Sequence, residues 1–170
     1  MSATSVQVRA ALAAAVTFST WAVLLQADQN DNDINHLPAI LTAKPLKSTP
    51  KDDALQKRFK EVYNIRQELT ADYYKELIGG RVSVDVLLDS ARRLQQTGME
   101  ISQGHKEKIE LLEQMTKLSN KAGAILDSWN VTSDEQAKRV KLQRSKLREF
   151  KLEVEIEILK VKNAAKGGGR

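Results

Sequence analysis

From Lys51 to Arg170 the chain contains no proline, while Pro38, Pro45 and Pro50 crowd the short window before it. Proline removes a backbone donor and clashes with the preceding turn, so it stops helices. The C-terminal part is therefore free to run as long helices, and its apolar residues recur at helical spacing. The clearest punctuation lies in Leu77-Ile78-Gly79-Gly80-Arg81-Val82-Ser83-Val84. Gly79 and Gly80 can take the positive φ that ends a helix. Ser83 is placed to cap the next helix, whose inward face is Val84, Leu87, Leu88, Ala91 and Leu94. A weaker copy follows in Trp129-Asn130-Val131-Thr132-Ser133-Asp134. There Asn130 stands where Arg81 stood, and asparagine tolerates the left-handed conformation.

Four helices follow from this punctuation. The first begins at Asp53 with a seam of Leu55, Phe59, Val62, Leu69 and Tyr73, Arg66 occupying the missing step, and ends at the glycines. The second runs from Ser83 to about Ser102, with Ile101 inward at its end, and Gly104 marks the next turn. The third carries Leu111, Met115, Leu118, Ala122, Ile125 and Trp129. The fourth starts at Thr132 or Ser133, with Val140, Leu147, Val154 and Val161 seven apart. One stretch of it, Phe150 to Ile158, also alternates with the strand period. A strand there has no partner elsewhere in the chain. As helix it gives two stripes, 150-154-158 and 152-156-159, a broad face able to sit between two neighbours. Short connections make successive helices antiparallel. The expected fold is all-α: two tandem helical hairpins forming an up-down-up-down four-helix coiled-coil bundle, with both glycine-type turns at one end.

Residues 1–27 read as a secretory signal. Arg9 is the only charge before Asp28, Ala10 to Leu25 is apolar, and Ala27 precedes a cleavage point. The run is short for a membrane span of about 20 residues. An uncleaved anchor and a buried helix are the alternatives. Residues 28–52 are expected to be a disordered linker in which Leu37, Ile40 and Leu41 either pack on the bundle or stay unstructured. The helical domain is 53–163, and 164–170 form a flexible tail.

The residues carry little chemistry. Cysteine is absent, so disulfides and thiolate metal sites are excluded, and with the two histidines, His36 and His105, far apart, no structural zinc site is expected. Asp85 and Asp89 share a helix face, where carboxylates ordinarily complement the helix dipole. No nucleophile–base pair, phosphate loop or metal cluster is present. No enzyme activity and no cofactor is expected. The chain has 27 basic and 22 acidic residues, a net charge of +5. Its sharpest charge feature is the stripe Lys141, Arg144, Arg148 and Lys151, which suits anionic lipid or lipopolysaccharide, or nucleic acid phosphates. Export argues against nucleic acid. A solvated face is the plain alternative.

Ile78-Gly79-Gly80-Arg81 followed by Val84-Asp85-Val86-Leu87-Leu88 and Arg92-Arg93-Leu94 resembles the repeated hairpin signature of outer-membrane efflux (TolC-like) proteins. The resemblance covers about residues 53–163. It implies that Gly79, Gly80, Arg81, Val82 and Ser83, with Trp129, Asn130, Val131 and Thr132, form paired hairpin tips that contact a partner. It implies an exported protein of the bacterial periplasm or cell envelope. The barrel strands of that family have no room here, since Ser102 to Lys106 is too short for a strand hairpin. The expectation is thus a short, barrel-less relative, a non-enzymatic helical interaction or structural protein acting through a protein partner or self-association. The alternative is a basic coiled coil binding nucleic acid or another anionic surface. No small-molecule substrate is implied, and the partner's identity and the oligomeric state stay open.

Overall fold

The computed structural model describes residues 36–167. The stretch read as a signal lies outside them. The described residues are helical with no strand. Five helices follow in order: α1 (Ala39–Thr42), α2 (Ala54–Ile78), α3 (Val84–Ile101), α4 (His105–Ser128) and α5 (Asp134–Gly167). The boundaries of the four long helices fall within a few residues of those expected.

Local chemistry sets several of these ends. Asp53 and Gln56 form a reciprocal capping box at the start of α2: the Gln56 amide donates to the Asp53 carboxylate at 2.7 Å, and the Asp53 amide donates to Gln56 Oε1. At the start of α5 the Gln136 amide donates to Ser133 Oγ, and Gln136 Oε1 accepts from the Thr132 amide and hydroxyl. Ser83 stands at the cap position of α3 with extended backbone, but its hydroxyl makes no capping bond.

Long-range bonds fix the helix directions. Thr70 on α2 meets Ser90 on α3, and Arg66 reaches Thr97 and the Arg93 carbonyl, so these two helices run antiparallel. α5 packs along α4, where Ser119 Oγ donates to the Leu147 carbonyl. α3 and α5 run parallel, joined by two ion pairs at the same sequence separation of 61: Lys146–Asp85 at 2.7 Å and Arg92–Glu153 at 3.0 Å. Arg92 also lies over the Phe150 ring, 5.5 Å from its centre.

The core is one cluster drawn from all five helices. On α3 every expected inward residue from Val84 to Leu94 is buried, and Ile101 is half-buried. On α4 Leu111, Met115, Leu118, Ala122 and Ile125 are buried, and on α5 so are Val140, Leu147, Val154 and Val161. At Gly98 α3 packs tightly against its neighbours: a methyl group there would stand 2.6 Å from Leu111 and 3.2 Å from Tyr63.

Four expectations need correction. The α2 seam is rotated: Leu55, Val62 and Leu69 are exposed, and the inner face is Tyr63, Gln67, Thr70, Ala71, Tyr74 and Leu77. Its polar members are bonded, Gln67 to the Ile40 and Ala43 carbonyls and Thr70 to the Arg66 carbonyl and Ser90, so hydropathy pointed to the wrong row. Within the proline-rich segment, residues 36–52 form a strap across the long helices rather than a free linker. Ile40 and Leu41 on α1 enter the core beside α2 and α4, Asn64 bonds the Leu46 amide and carbonyl, and Lys60 pairs with Asp52 at 2.6 Å. The alternating stretch 150–158 is helix, and only its first stripe has a neighbour: Phe150 and Val154 are buried, whereas Leu152, Ile156 and Leu159 are exposed. Finally, residues 164–167, expected as tail, continue α5.

Candidate functional site at the paired helix turns

The α2–α3 turn is built by hydrogen bonding. The Gly80 amide donates to the Leu77 carbonyl and the Arg81 amide to the Glu76 carbonyl, both at 2.9 Å. This is the crossed pair of a Schellman end, which needs one left-handed residue. Gly80 supplies it with φ 67°, whereas Gly79 keeps right-handed helical backbone at φ −75°. Only the second glycine is thus required by conformation. The Arg81 guanidinium returns to Glu76 at 3.2 Å and closes the turn.

The α4–α5 turn is built differently. α4 ends at Ser128, and Trp129 leaves it with extended backbone, φ −70° and ψ 130°. Asn130, Val131 and Thr132 are exposed. The likeness of the two turns is therefore one of position rather than of backbone conformation.

Both turns face one open cleft of about 790 Å³. Gly79 to Ser83 form one wall and Ser128 to Val131 the other. Ile78, Val82 and Trp129 are half-buried against the top of the core. α5 adds a floor of Gln136, Arg139 and Gln143. Those three were missed in the sequence, although their 3-4 spacing behind the second turn marks one helix face. The lining mixes exposed backbone, apolar surface, amides and two guanidinium groups, and contains no carboxylate, histidine or lysine. Its polar groups are hydroxyls, amides and guanidinium groups, beside the Trp129 ring.

The other singled-out residues lie elsewhere. Lys141, Arg144 and Arg148 are exposed and Lys151 is half-buried along α5, away from the cleft. Arg144 is held by Asp127 of α4 at 2.6 Å. Asp85 and Asp89 each face a base, Lys146 and Arg92, rather than one another. His105 is exposed at the start of α4. No cluster of three or more metal-ligating side chains occurs among the described residues, and no described helix is long and apolar enough to cross a membrane.

Fold and site together define an all-helical chain that presents two interhelical turns around a shared cleft. No family model, curated protein or solved structure matches it.

Proposed function

We propose that this protein is a non-enzymatic helical interaction protein of the cell envelope, an up-down-up-down bundle of two hairpins that engages a protein partner through its paired tips. The observation that carries this reading is the shared cleft. Gly80 and Trp129, far apart in the chain, wall one recess whose lining offers donors and apolar surface but no catalytic pair. The likeness of the first tip to the hairpin signature of efflux outer-membrane proteins supports a protein as the partner. The apolar run from Ala10 to Leu25 supports export to the periplasm or envelope.

The test places a photo-crosslinking residue at Arg81 or at Gln103 of the full chain in its host. The same cells are fractionated, and the N-terminus of the mature chain is sequenced. The reading expects a discrete crosslinked partner from Arg81 and none from Gln103, an N-terminus at or near Asp28, and recovery with the envelope. Equal labelling from both positions removes the tip assignment. Recovery in the cytosol with an intact N-terminus favours the second reading, in which Lys141, Arg144, Arg148 and Lys151 contact an anionic surface such as lipid, lipopolysaccharide or nucleic acid.

A further inference from the structure

The outer surface of α5 carries a second apolar row. Leu142, Ser145, Glu149, Leu152, Ile156 and Leu159 follow one another at steps of 3 and 4, the spacing of a coiled-coil seam. Its four apolar members are between 50% and 59% exposed. Leu147, Val154 and Val161, on the opposite side of the helix, are buried in the core. A helix docking on the outer row packs on α5 and, beside Ile156, on the edge of α3 at Arg92, Gln95 and Met99. Four regularly spaced large apolar side chains on one helix face are more than the scattered exposure normal for a surface.

We propose that this row pairs with the same row of a second copy, the two α5 helices antiparallel and crossing between Phe150 and Lys151. Charge selects this occupant and this register. The first half of the row is flanked by Lys146 and Arg148, and the second half by Glu153 and Glu155. The antiparallel two-fold sets Arg148 against Glu155 of the other copy, a contact occurring twice; Lys146 faces Glu153 of the other copy while each also pairs within its own chain, with Asp85 and Arg92. It stacks Leu142 on Leu159 and Ser145 on Ile156, and sets Glu149 against Leu152. At the ends, Lys141 meets Lys162 and Arg139 meets Lys160. A parallel pair would instead place Glu149 against Glu149 within the seam. Sliding one helix of the antiparallel pair by a heptad, two turns, would set Glu153 on Glu153 and Glu155 on Glu155. Like charges in contact thus disfavour both arrangements. The pairing does not depend on whether the tips bind a partner.

The chain has no cysteine, so introduced thiols report alone. Full-length protein is examined by sedimentation over a wide concentration range. Ser145→Cys and Ile156→Cys variants are then oxidised separately and mixed. The expected results are a species of twice the monomer mass and a covalent dimer from the mixture, with none from Ser145→Cys alone. Arg148→Glu is expected to raise the dimer Kd at least tenfold with unchanged helical circular dichroism, and adding Glu155→Arg to the same chain to restore it. A self-linked Ser145→Cys dimer would mean parallel pairing and overturn the proposal. So would a monomer at every concentration, whether its Ile156→Cys thiol reacts freely or is shielded by the chain's own first 35 residues. A dimer indifferent to the charge exchange would overturn it as well.

Discussion

Gly79 and Gly80 are adjacent and look interchangeable in the sequence, yet the Schellman bonds separate them. Alanine at Gly80 must adopt φ 67°, which costs about 1–2 kcal/mol for a residue with a Cβ. Alanine at Gly79 keeps helical backbone, and its methyl meets the Arg81 side chain at 3.1 Å and the Glu76 carbonyl at an ordinary 3.6 Å. Denaturant melts are therefore expected to show a loss of about 1–2 kcal/mol for Gly80→Ala and a change within about 0.5 kcal/mol for Gly79→Ala. Equal losses would mean that both glycines are conformationally required. Asp52 gives a second residue-scale outcome. Its hydrogen bond from Lys60, followed by that from the Thr49 amide, holds its carboxyl at about 2, below the ordinary 3.8. A depressed folded value means that the unfolded chain takes up the proton first. The bond's contribution is complete above 3.8 and disappears as pH falls through about 2. Hydrogen exchange at Leu46, in the strap that Asp52 ends, is expected to accelerate across that acid window, and Asp52→Asn should show the faster exchange already at neutral pH and remove that dependence. An Asp52→Asn strap with the same acid profile would show that other carboxylates govern it.

At the scale of elements, the glycines of α3 and α4 are expected to respond to alanine with opposite sign. Alanine gains about 1 kcal/mol over glycine inside a helix. At Gly123 nothing lies within 4 Å of the added methyl, so that gain stands. At Gly98 the methyl would press into buried Leu111 at 2.6 Å, and over-packing of this kind costs about 1–3 kcal/mol. Chemical denaturation should show Gly123→Ala stabilised and Gly98→Ala destabilised; a stabilised Gly98→Ala would mean that α3 and α4 can separate there without loss. Gly98 also marks what the sequence does not display. A glycine inside a helical pattern is silent about which helix approaches it. By contrast, the inward faces of α3 and α4 were legible because their apolar residues fall in one stripe with polar residues opposite. α2 was misread because its inner row contains Gln67 and Thr70, whose partners on α1 and α3 are far away in sequence. α5 was half-legible: both of its apolar rows can be seen in the sequence, but not which one meets the core.

For the whole molecule, the helix order and the positions of the turns could be read directly, since Gly79-Gly80 and Gly104 interrupt the apolar period at those places. The first and third turns line one cleft, which short connections between successive long helices lead one to expect. The strap did not follow. Ile40 is fully buried, but its window contains three prolines and only four helical residues, so no periodicity announces it. The floor of the cleft was hidden for a related reason: Gln136 and Gln143 look like ordinary solvent-facing amides until the fold sets them below the turns.

The long helices are joined unequally along their length. Near the Gly104 turn they interlock, with Leu111 seated against Gly98. Towards the tips, α3 and α5 are linked by Asp85–Lys146 and Arg92–Glu153, pairs whose side chains are all more than a third exposed. Such pairs contribute about 0.2–1 kcal/mol each, and the screening length falls from about 10 Å at 0.1 M salt to about 3 Å at 1 M. These pairs are expected to act as a salt-sensitive clasp on the tip end, beside the buried apolar contacts of Val84, Leu87 and Leu126, with Trp129 as the reporter at that end. Tryptophan emission is therefore expected to move to the red as salt rises from about 0.1 M to about 1 M, while helical circular dichroism stays constant. Charge reversal at both partners, Asp85→Lys with Lys146→Asp, should preserve the response, and Lys146→Ala should shift the emission already at low salt. Emission unmoved by salt and by Lys146→Ala would mean that this end is held closed by apolar contacts alone, and that the cleft has one fixed width.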